Sequence, residues 1–328
     1  MDKIRWGILG TGAIAHKFAA GLQVLPDAEI AAVGSRTQAG ADAFAAEFGV
    51  SRAHGSYAAL AADPEVDVIY VATPHPYHLE NSILCLEHGK HVLCEKPVTV
   101  NGRQLEELLA AARKANCFLM EAMWMYFSPH IIKAEELVRA GAIGKLKMVQ
   151  ANFGFSTDQE ETGRLLNPDL AGGSLLDVGI YPIALASLFF GGAPARIQSD
   201  WERAESGVDA QAAMLFGYAD GGLATLTSAV VTDTPYDAWL MGETGMIKIH
   251  TPFWGRCPAI SIHRPEQEPE TIALPLRGNG YDYEAEHVMQ CLREGRTESP
   301  RVPWSKSQEI MATMDTLRGQ WGLRYPFE

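Results

Sequence analysis

The sequence predicts an α/β fold, in which a doubly wound parallel sheet is followed by an α+β domain with an open, mostly antiparallel sheet. Short β-type runs alternate with helical patterns through residues 1–121, and a glycine-rich turn follows the first run. Residues 122–328 contain mainly β-type runs with few helices between them. Because strand–helix alternation is typical of parallel sheets, we expect two domains, 1–121 and 122–328.

The first domain is predicted from short apolar runs separated by helical patterns. Strands are expected at residues 4–9, 30–33, 66–72, 91–94 and 118–120, and helices at 14–24, 40–48, 77–88 and 104–114. This order predicts a parallel sheet with helices on both faces.

The second domain is predicted from closely spaced β-type runs. Strands are expected at residues 146–155, 196–203, 211–218, 223–231, 238–241, 246–250, 259–263 and 271–276, and helices at 129–140, 175–190, 283–294 and 305–321. Asp220 and Gly221 between two of these strands are typical of a hairpin, which favours antiparallel pairing.

Composition excludes several classes of protein. The net charge of −13 argues against nucleic-acid binding, because phosphate backbones require a basic surface. Five cysteines without a CxxC pair fit reduced thiols in a cytoplasmic protein rather than disulfides or a zinc site. Residues 178–195 lack charge, but their continuous apolar part, 183–190, is too short to cross a bilayer. We therefore expect a cytoplasmic protein with no signal peptide, no membrane partner and a buried helix in this region.

The glycine-rich turn after the first strand is typical of dinucleotide binding by a Rossmann domain. Its residues are Gly10-Thr11-Gly12-Ala13-Ile14-Ala15. Gly10 permits the tight turn, Gly12 lets the backbone approach a pyrophosphate, and Ala15 allows close packing of helix on strand. The alternative is a glycine-rich turn without a ligand, which the strand–turn–helix context disfavours. We expect the cofactor to contact the first five residues of this turn: Gly10, Thr11, Gly12, Ala13 and Ile14.

The end of the second strand indicates which cofactor is bound. An NAD enzyme usually carries an acidic residue there, whereas this chain has Ser35 and Arg36. Arg36 can pair with a 2′-phosphate, and Ser35 can donate a hydrogen bond to it. We therefore expect NADP rather than NAD, the alternative being that Arg36 is a solvated residue at the start of a helix.

The loop after the strand at 66–72 is expected to line the cofactor. It carries Thr73, Pro74, His75 and His78 at the carboxyl edge of the sheet. The two histidines could suggest a metal site, but no acidic or cysteine partner accompanies them in a ligand pattern. We expect no metal, and His78 could also simply begin the next helix.

Two segments carry side chains for the proton transfer that accompanies hydride removal from an alcohol. Glu95 and Lys96 follow the strand at 91–94, where the nicotinamide would lie. Asp177 and Tyr181 share one face if their segment is helical. A tyrosine becomes a usable base only beside a positive charge such as that of Lys96. On residue type alone, Tyr181 is equally well explained as a core tyrosine.

Motifs spread along nearly the whole chain resemble a known family. They are the glycine-rich turn, Cys94-Glu95-Lys96-Pro97, Glu121-Ala122-Met123-Trp124, Gly172-Gly173-Ser174-Leu175-Leu176-Asp177-Val178-Gly179-Ile180-Tyr181, Gly245-Met246 and Tyr283-Glu284-Ala285-Glu286-His287-Val288. In these the chain resembles the glucose–fructose oxidoreductase/inositol dehydrogenase/rhizopine catabolism (Gfo/Idh/MocA) family. Within that family it is most similar to the dimeric dihydrodiol dehydrogenases, which also oxidise D-xylose with NADP.

The resemblance implies a Rossmann domain followed by an α/β domain whose open sheet often forms a homodimer interface. It also implies that Lys96 and Tyr181 are the catalytic pair and that Asp177 supports them. Trp124 and Phe153 match aromatic positions of the substrate pocket, and core packing is the alternative for both.

Two further features bear on the substrate. Arg164 lies in the loop before the Gly-Gly turn and could bind substrate hydroxyls or be a solvated loop arginine. Relatives often carry Trp-x-Arg-Phe after the Glu-Ala pair, whereas this chain has Trp124-Met125-Tyr126-Phe127. The missing charge leaves substrate specificity open.

We expect an NADP-dependent dehydrogenase that acts on a sugar at its anomeric carbon or on a trans-dihydrodiol. One alternative is a sugar-sensing protein that binds NADP without turnover, against which the retention of Lys96, Asp177 and Tyr181 argues. The other is an aldose–aldose oxidoreductase whose cofactor stays bound while one sugar reduces what another oxidises.

Overall fold

The protein is described by a computed structural model, which covers residues 3–158 and 163–328. The chain divides into two compact units. The first unit contains residues up to Trp124 together with Arg277–Ser307, and the second contains Met125–Leu276 and Gln308–Glu328. The first unit is therefore built from two separate stretches of chain.

The first unit is built on a six-stranded sheet in which every neighbouring pair of strands is parallel. Its strands are β1 (Ile4–Leu9), β2 (Ala28–Gly34), β3 (Arg52–His54), β4 (Val68–Val71), β5 (His91–Glu95) and β6 (Leu119–Ala122). Its helices up to this point are α1 (Ala13–Leu22), α2 (Gln38–Phe48), α3 (Tyr57–Ala61), α4 (His78–Glu87) and α5 (Gly102–Ala115). The predicted alternation of strands and helices is confirmed.

The order of the strands, β3-β2-β1-β4-β5-β6, places a topological switch between β1 and β4. Leu9 at the end of β1 lies opposite Gly34 of β2 and Val71 of β4. The loops that follow these three strands therefore start side by side at one edge of the sheet. In doubly wound sheets, this is the edge where ligands bind.

The sequence does not predict β3 and α3. Strand β3 has only three residues, and its polar side chains Arg52 and His54 both contact the buried carboxylate of Asp63, at 2.7 and 2.8 Å. No apolar run marks such a short edge strand, because a side-chain network rather than apolar burial holds it in place.

The second unit is built on an eight-stranded sheet with the order β14-β13-β12-β11-β7-β10-β9-β8. Its elements, in chain order, are α6 (Pro129–Arg139), β7 (Leu146–Gly154), α7 (Ile180–Phe190), β8 (Arg196–Arg203), β9 (Asp209–Gly217), β10 (Leu223–Ala229), β11 (Ala238–Gly242), β12 (Met246–Ile249), β13 (Ala259–His263) and β14 (Glu270–Ala273). Among the strands that the structure describes in this sheet, only β7 and β10 pair in parallel, so the predicted mostly antiparallel sheet is confirmed. The predicted hairpin is the connection between β9 and β10, where Gly221 has a φ of +90°.

The helix expected through residues 175–190 is divided. Leu175–Gly179 form one π-helical turn, and α7 continues from Ile180. Pro182 supplies no amide hydrogen to the turn before it, which favours a local departure from α-helical bonding. The stretch Pro168–Phe190 has the length and apolarity of a membrane-spanning helix, but 83% of its most apolar window is buried inside the structure, as in a core helix.

The chain ends with α8 (Tyr281–Arg293) and α9 (Trp304–Trp321). Helix α8 belongs to the first unit and packs against α1, while α9 contains residues of both units. At the start of α9, the indole Nε1 of Trp304 donates a hydrogen bond of 2.9 Å to the carbonyl of Leu119 at the beginning of β6.

Candidate functional site

The turn after β1 requires glycine at its first position. Gly10 has a φ of +102°, and a Cβ atom there would lie 3.0 Å from the carbonyl oxygen of Ala72. The amide of Gly10 donates to the carbonyl of Gly34 over 2.9 Å, and the amide of Ala72 donates to the carbonyl of Leu9 over the same distance. The turn is therefore pressed against the ends of both neighbouring strands, as a tight phosphate-binding turn must be.

Gly12 has a different role from Gly10. It is the N-cap of α1, its φ of −81° suits any residue, and its position carries no side-chain cap. A Cβ atom at Gly12 would meet nothing within 4 Å, so the surface in front of the helix is open. Unsatisfied amides and the helix dipole make such an N-terminus suitable for a pyrophosphate. The backbone here, from Gly12 to Ala13 and Ile14, fits a dinucleotide.

The end of β2 adjoins this turn. Ser35 is buried, and its Oγ lies 3.3 Å from Oγ1 of Thr11. Arg36 is exposed and, among the described residues, forms no ion pair. Burial raises the pKa of Tyr57 in α3, and the charge of Arg36 opposes this rise, which places the guanidinium near that ring. These residues could hold a phosphate on the adenosine ribose.

The loop after β4 is tied to the loop after β5 by one buried imidazole. Nδ1 of His78 lies 2.7 Å from the carbonyl oxygen of Pro97, and Nε2 lies 2.7 Å from that of Thr73. Burial lowers the pKa of His78 to about 4. His78 also begins α4. Within the described residues, no group of three or more His, Cys, Asp or Glu side chains could hold a metal ion.

The remaining histidine of this loop is also covered. His75 is 7% exposed, and its ring centroid lies 5.7 Å from that of His78. Thr73 is buried, and the backbone of Pro74 leads into the short 3₁₀ turn His75–Tyr77. The loop is thus a fixed part of the sheet edge.

The loop that carries Lys96 is held by two buried carboxylates. Glu95 accepts a short hydrogen bond from the hydroxyl of Tyr70 and one of 3.1 Å from the amide of Lys96. Glu121 accepts a hydrogen bond of 3.0 Å from the amide of Val98 and one of 2.6 Å from the hydroxyl of Ser307. Burial raises the pKa of Glu121, and the charge of Lys96 opposes this rise. Glu121 belongs to a sequence motif, but the motif alone does not reveal its role in holding this loop.

A second buried acid lies close to Glu95. Glu284 on α8 is fully buried, and neither carboxyl oxygen has a hydrogen-bond partner among the described residues. Burial, and then the charge of Glu95, raise the pKa of Glu284 well above its usual value. The same two causes act on Tyr281, whose ring stacks on Trp124 at 4.3 Å. Trp124 is only 5% exposed.

In the second unit, the segment before α7 brings together two residues that the sequence singled out. Nη1 of Arg164 lies 2.7 Å from Oδ1 of Asp177, which is located in the π-helical turn. The pair is partly open to solvent on the arginine side, since the Arg164 side chain is 45% exposed. Arg164 is thus an ion-paired residue rather than a merely solvated one.

Tyr181 lies against an aromatic wall. Its ring centroid is 5.6 Å from that of Phe153 and 5.8 Å from that of Trp254. Phe153 and Trp254 are stacked at 4.2 Å, and Tyr236 meets Phe153 edge-on at 5.6 Å. Such a surface suits the apolar face of a ring-shaped ligand.

Tyr236 and Trp254 are not predictable from the sequence, because both lie on loops outside any motif. Tyr236 adopts a φ of +61°, which is uncommon for a bulky residue and concentrates at functional sites. Its amide donates to Oδ1 of Asn152 over 2.9 Å, and its carbonyl accepts from the amide of Phe253 over 2.9 Å. No local pattern reveals that conformation.

Known proteins with similar sequences and structures match nearly the whole chain. Residues 4–123 match the family model described as "Oxidoreductase family, NAD-binding Rossmann fold", and residues 131–248 match the "GFO/IDH/MocA C-terminal domain". The chain is 38% identical to a trans-1,2-dihydrobenzene-1,2-diol dehydrogenase of Xenopus laevis, covering 98% of this chain and 99% of that one. It is 36% identical to the Homo sapiens protein of the same name, covering 98% of each.

Two solved structures are also similar. The aldose-aldose oxidoreductase from Caulobacter crescentus, complexed with glycerol, matches with a TM-score of 0.90 at 25% identity over 98% of both chains. The 3-ketoreductase KijD10 from Actinomadura kijaniata, in complex with NADP and TDP-benzene, matches with a TM-score of 0.87 at 27% identity over 97% of this chain and 98% of that one.

Proposed function

Because the chain belongs to the Gfo/Idh/MocA oxidoreductase family, we propose that it is an NADP-dependent dehydrogenase acting on a sugar or a vicinal diol. The observation that supports this most strongly is the combination of an open helix N-terminus at Gly12 with an aromatic wall beside Tyr181. The first fits a dinucleotide and the second fits a ring-shaped substrate.

The preference for NADP rests on the end of β2. Arg36 is exposed at the same sheet edge as Gly10 and Gly12, and the four residues from Gly34 to Thr37 include no acidic side chain that would repel a 2′-phosphate. The buried Ser35 provides a hydroxyl next to Thr11. We assign cofactor binding to residues 1–121, including Glu95 and the loop from Thr73 to His78.

The proposed chemistry uses three side chains. Tyr181 removes the proton of the substrate hydroxyl, and the ammonium of Lys96 holds the substrate oxygen and favours the phenolate of Tyr181. Asp177, anchored by Arg164, keeps the segment of Tyr181 in place. Bound NADP supplies the hydride acceptor at C4 of its nicotinamide. No metal takes part in this proposal.

The proposed substrate has a cyclic or flat apolar face and neighbouring hydroxyls, as in an aldose or a trans-dihydrodiol. Phe153, Tyr236 and Trp254 would cover the C–H face, since aromatic rings favour such contacts. Arg164 would donate hydrogen bonds to hydroxyls, and Trp124 would contribute a further aromatic surface. Residues 122–328 thus carry substrate recognition.

We also propose that the protein is a cytoplasmic homodimer that pairs through the sheet of the second unit. All five cysteines are free and buried, which fits a reducing compartment. One side of that sheet presents a broad open surface of mixed character, in which Gln150, Asn152, Gln198, Asp200, Thr225 and Thr227 lie beside apolar residues that include the exposed Leu215. Sedimentation of the purified protein at several concentrations tests this assembly.

A second candidate is an aldose–aldose oxidoreductase with a permanently bound cofactor, because a structure of that name matches with a TM-score of 0.90. In that case the purified protein would release its nicotinamide cofactor only after unfolding, and absorbance would detect the release. Turnover would then require a sugar pair rather than added NADP.

The experiment combines a substrate panel with two matched variants. Aldoses, polyols and trans-dihydrodiols are tested with NADP and NAD by absorbance of the reduced cofactor. Tyr181→Phe should lower kcat about 100-fold or more, as expected for loss of an acid–base group, without changing NADP binding. The control is Tyr218→Phe, because the hydroxyl of Tyr218 has no hydrogen-bond partner among the described residues.

The outcomes separate the candidates. Near-normal turnover by Tyr181→Phe would refute the role of Tyr181. Stoichiometric NADP binding with no reduction by any member of the panel would instead support a sensing protein.

A further inference from the structure

A buried carboxylate lies behind the segment that carries Asp177 and Tyr181. Asp209, the first residue of β9, is fully buried. Its Oδ2 accepts hydrogen bonds from the hydroxyl of Ser174, at 2.8 Å, and from the amide of Leu175, at 2.6 Å. Asp209 therefore holds the first residues of the helical segment from behind.

The turn before this segment is built around the same carboxylate. Gly173 has a φ of +114°, and a Cβ atom there would lie 2.1 Å from Oδ1 of Asp209. The hydroxyl of Tyr325 donates a hydrogen bond of 2.8 Å to the carbonyl of Gly172. The Oγ atom of Ser174 lies 2.9 Å from the Oγ atom of Ser228. The Gly-Gly-Ser sequence thus permits Asp209 to approach the backbone closely.

The charge of Asp209 is unfavourable for folding. Its Oδ1 has no hydrogen-bond partner among the described residues. Burial raises the pKa of Asp209 to about 6, against the smaller opposing effects of its bonds to Ser174 and Leu175. The carboxyl group of Asp209 is therefore mostly ionised at neutral pH. Because its pKa is higher in the folded protein than in the unfolded chain, this ionisation lowers the stability of the fold.

In this position, a carboxylate is a stronger hydrogen-bond acceptor than a neutral group. Hydrogen bonds to an ionised oxygen are shorter and stronger, and a negative charge at a helix N-terminus is stabilised by the helix dipole. A neutral acceptor could fill the same space without the penalty of a buried charge. That this chain carries the charged form points to a requirement other than stability.

We propose that Asp209 is a positioning residue for the reaction, whose negative charge fixes the segment that carries Asp177 and Tyr181 although it destabilises the fold. This inference rests on the proposed function, since it assumes that the position of Tyr181 governs turnover. Asp209 acts through Ser174 and Leu175 and does not itself touch the substrate.

The charged and titratable groups around Asp209 come from the end of the chain. Arg318 of α9 lowers the pKa of Asp209, and this arginine is itself paired with Asp315 and Glu328. Tyr325, whose pKa is raised by burial and by Asp209, stays neutral in the working range. Asp209 is thus the group expected to titrate near pH 6 at this place.

The first test is Asp209→Asn, which keeps the shape and removes the charge. We expect kcat to fall about tenfold or more while the KM for NADP stays unchanged. The wild-type kcat should fall as the pH drops below about 6, and the variant should lack this acidic limb. Its midpoint of urea denaturation should rise at pH 8 and change little at pH 4, because only the ionised form destabilises the fold.

The second test is Ser174→Ala, which keeps Asp209 and removes one hydrogen bond to it. Because that bond lowers the pKa of Asp209, the acidic limb should move to higher pH. The matched control is Asp63→Asn, since Asp63 is a buried acid of the first unit whose pKa is lowered to about 2. Its loss should destabilise the fold without moving the limb.

Hydrogen exchange provides a readout that needs no turnover. The amides of residues 174–181 should exchange faster in Asp209→Asn than in wild type at pH 8. If wild type proves inactive on every substrate while this difference is present, the proposed function fails, and Asp209 holds the segment without serving that reaction. The proposal would be overturned if Asp209→Asn had the kcat of wild type, kept the acidic limb of its pH profile, or exchanged its amide hydrogens at residues 174–181 at the wild-type rate.

Discussion

Replacing Gly12 by alanine should separate cofactor binding from folding. The backbone at Gly12 is already in an ordinary extended conformation, with a φ of −81° and a ψ of 176°. The added methyl group would point into open space, with no atom within 4 Å. That space lies in front of the N-terminus of α1, where we place the pyrophosphate.

The expected magnitudes follow from these two facts. Alanine in place of glycine stabilises by about 0.4–1 kcal/mol through the unfolded chain, and loses a similar amount as a poorer N-cap. The free energy of unfolding should therefore change by less than about 1 kcal/mol. Displacing one charge-assisted hydrogen bond of the pyrophosphate costs about 1.5–3 kcal/mol, which is roughly a 10- to 150-fold increase in Kd.

The matched control is Gly10→Ala. Gly10 has a φ of +102°, and its Cβ would press on the carbonyl of Ala72, so this variant should lose about 1–3 kcal/mol of stability. Urea denaturation without cofactor and titration of NADPH fluorescence give the two quantities. If Gly12→Ala binds NADPH as tightly as wild type, the placement of the pyrophosphate at this helix is wrong.

The remaining predictions concern two charged groups. Arg36→Ala should shift the ratio of kcat/KM for NADP over NAD about 10- to 100-fold towards NAD, because a partly screened contact with the 2′-phosphate is lost. The kinetics with NAD are the control, and an unchanged ratio would contradict the NADP assignment. Glu284→Gln should stabilise the protein by about 1–3 kcal/mol at alkaline pH and much less near pH 4, because the raised pKa of Glu284 makes its ionisation unfavourable in the folded state. Urea titrations at pH 4 and pH 8.5 measure this difference, and equal effects at both values would show that Glu284 does not titrate as expected.

The parallel sheet was predictable because its strands are buried on both faces. Residues such as Ile69 and Leu93 are fully buried, so the strands are continuous apolar runs between helical patterns. The phosphate turn was equally predictable, since Gly10 needs a positive φ that favours glycine and Gly12 follows it at the spacing of the dinucleotide-binding motif. Such features depend on neighbours in sequence.

Other parts of the site depend on residues that are distant in sequence. Trp254 joins Phe153 across about one hundred residues of chain, and Asp209 meets Ser174 only through the pairing of the sheet. Tyr236 takes its left-handed conformation because Asn152 and Phe253 hold its backbone. No periodicity or motif encodes these contacts.

The two-part construction of the first unit affects how the protein is made. A ribosome that has produced the strands β1–β6 must still synthesise residues 125–276 before Arg277–Ser307 emerge. At ~5–20 residues per second, this delay is on the order of ten seconds or more. Throughout that time, the face of α1 that α8 later covers is exposed to water. A nascent chain of this kind is open to chaperone capture, and its first unit is complete only after Arg277–Ser307 have been made.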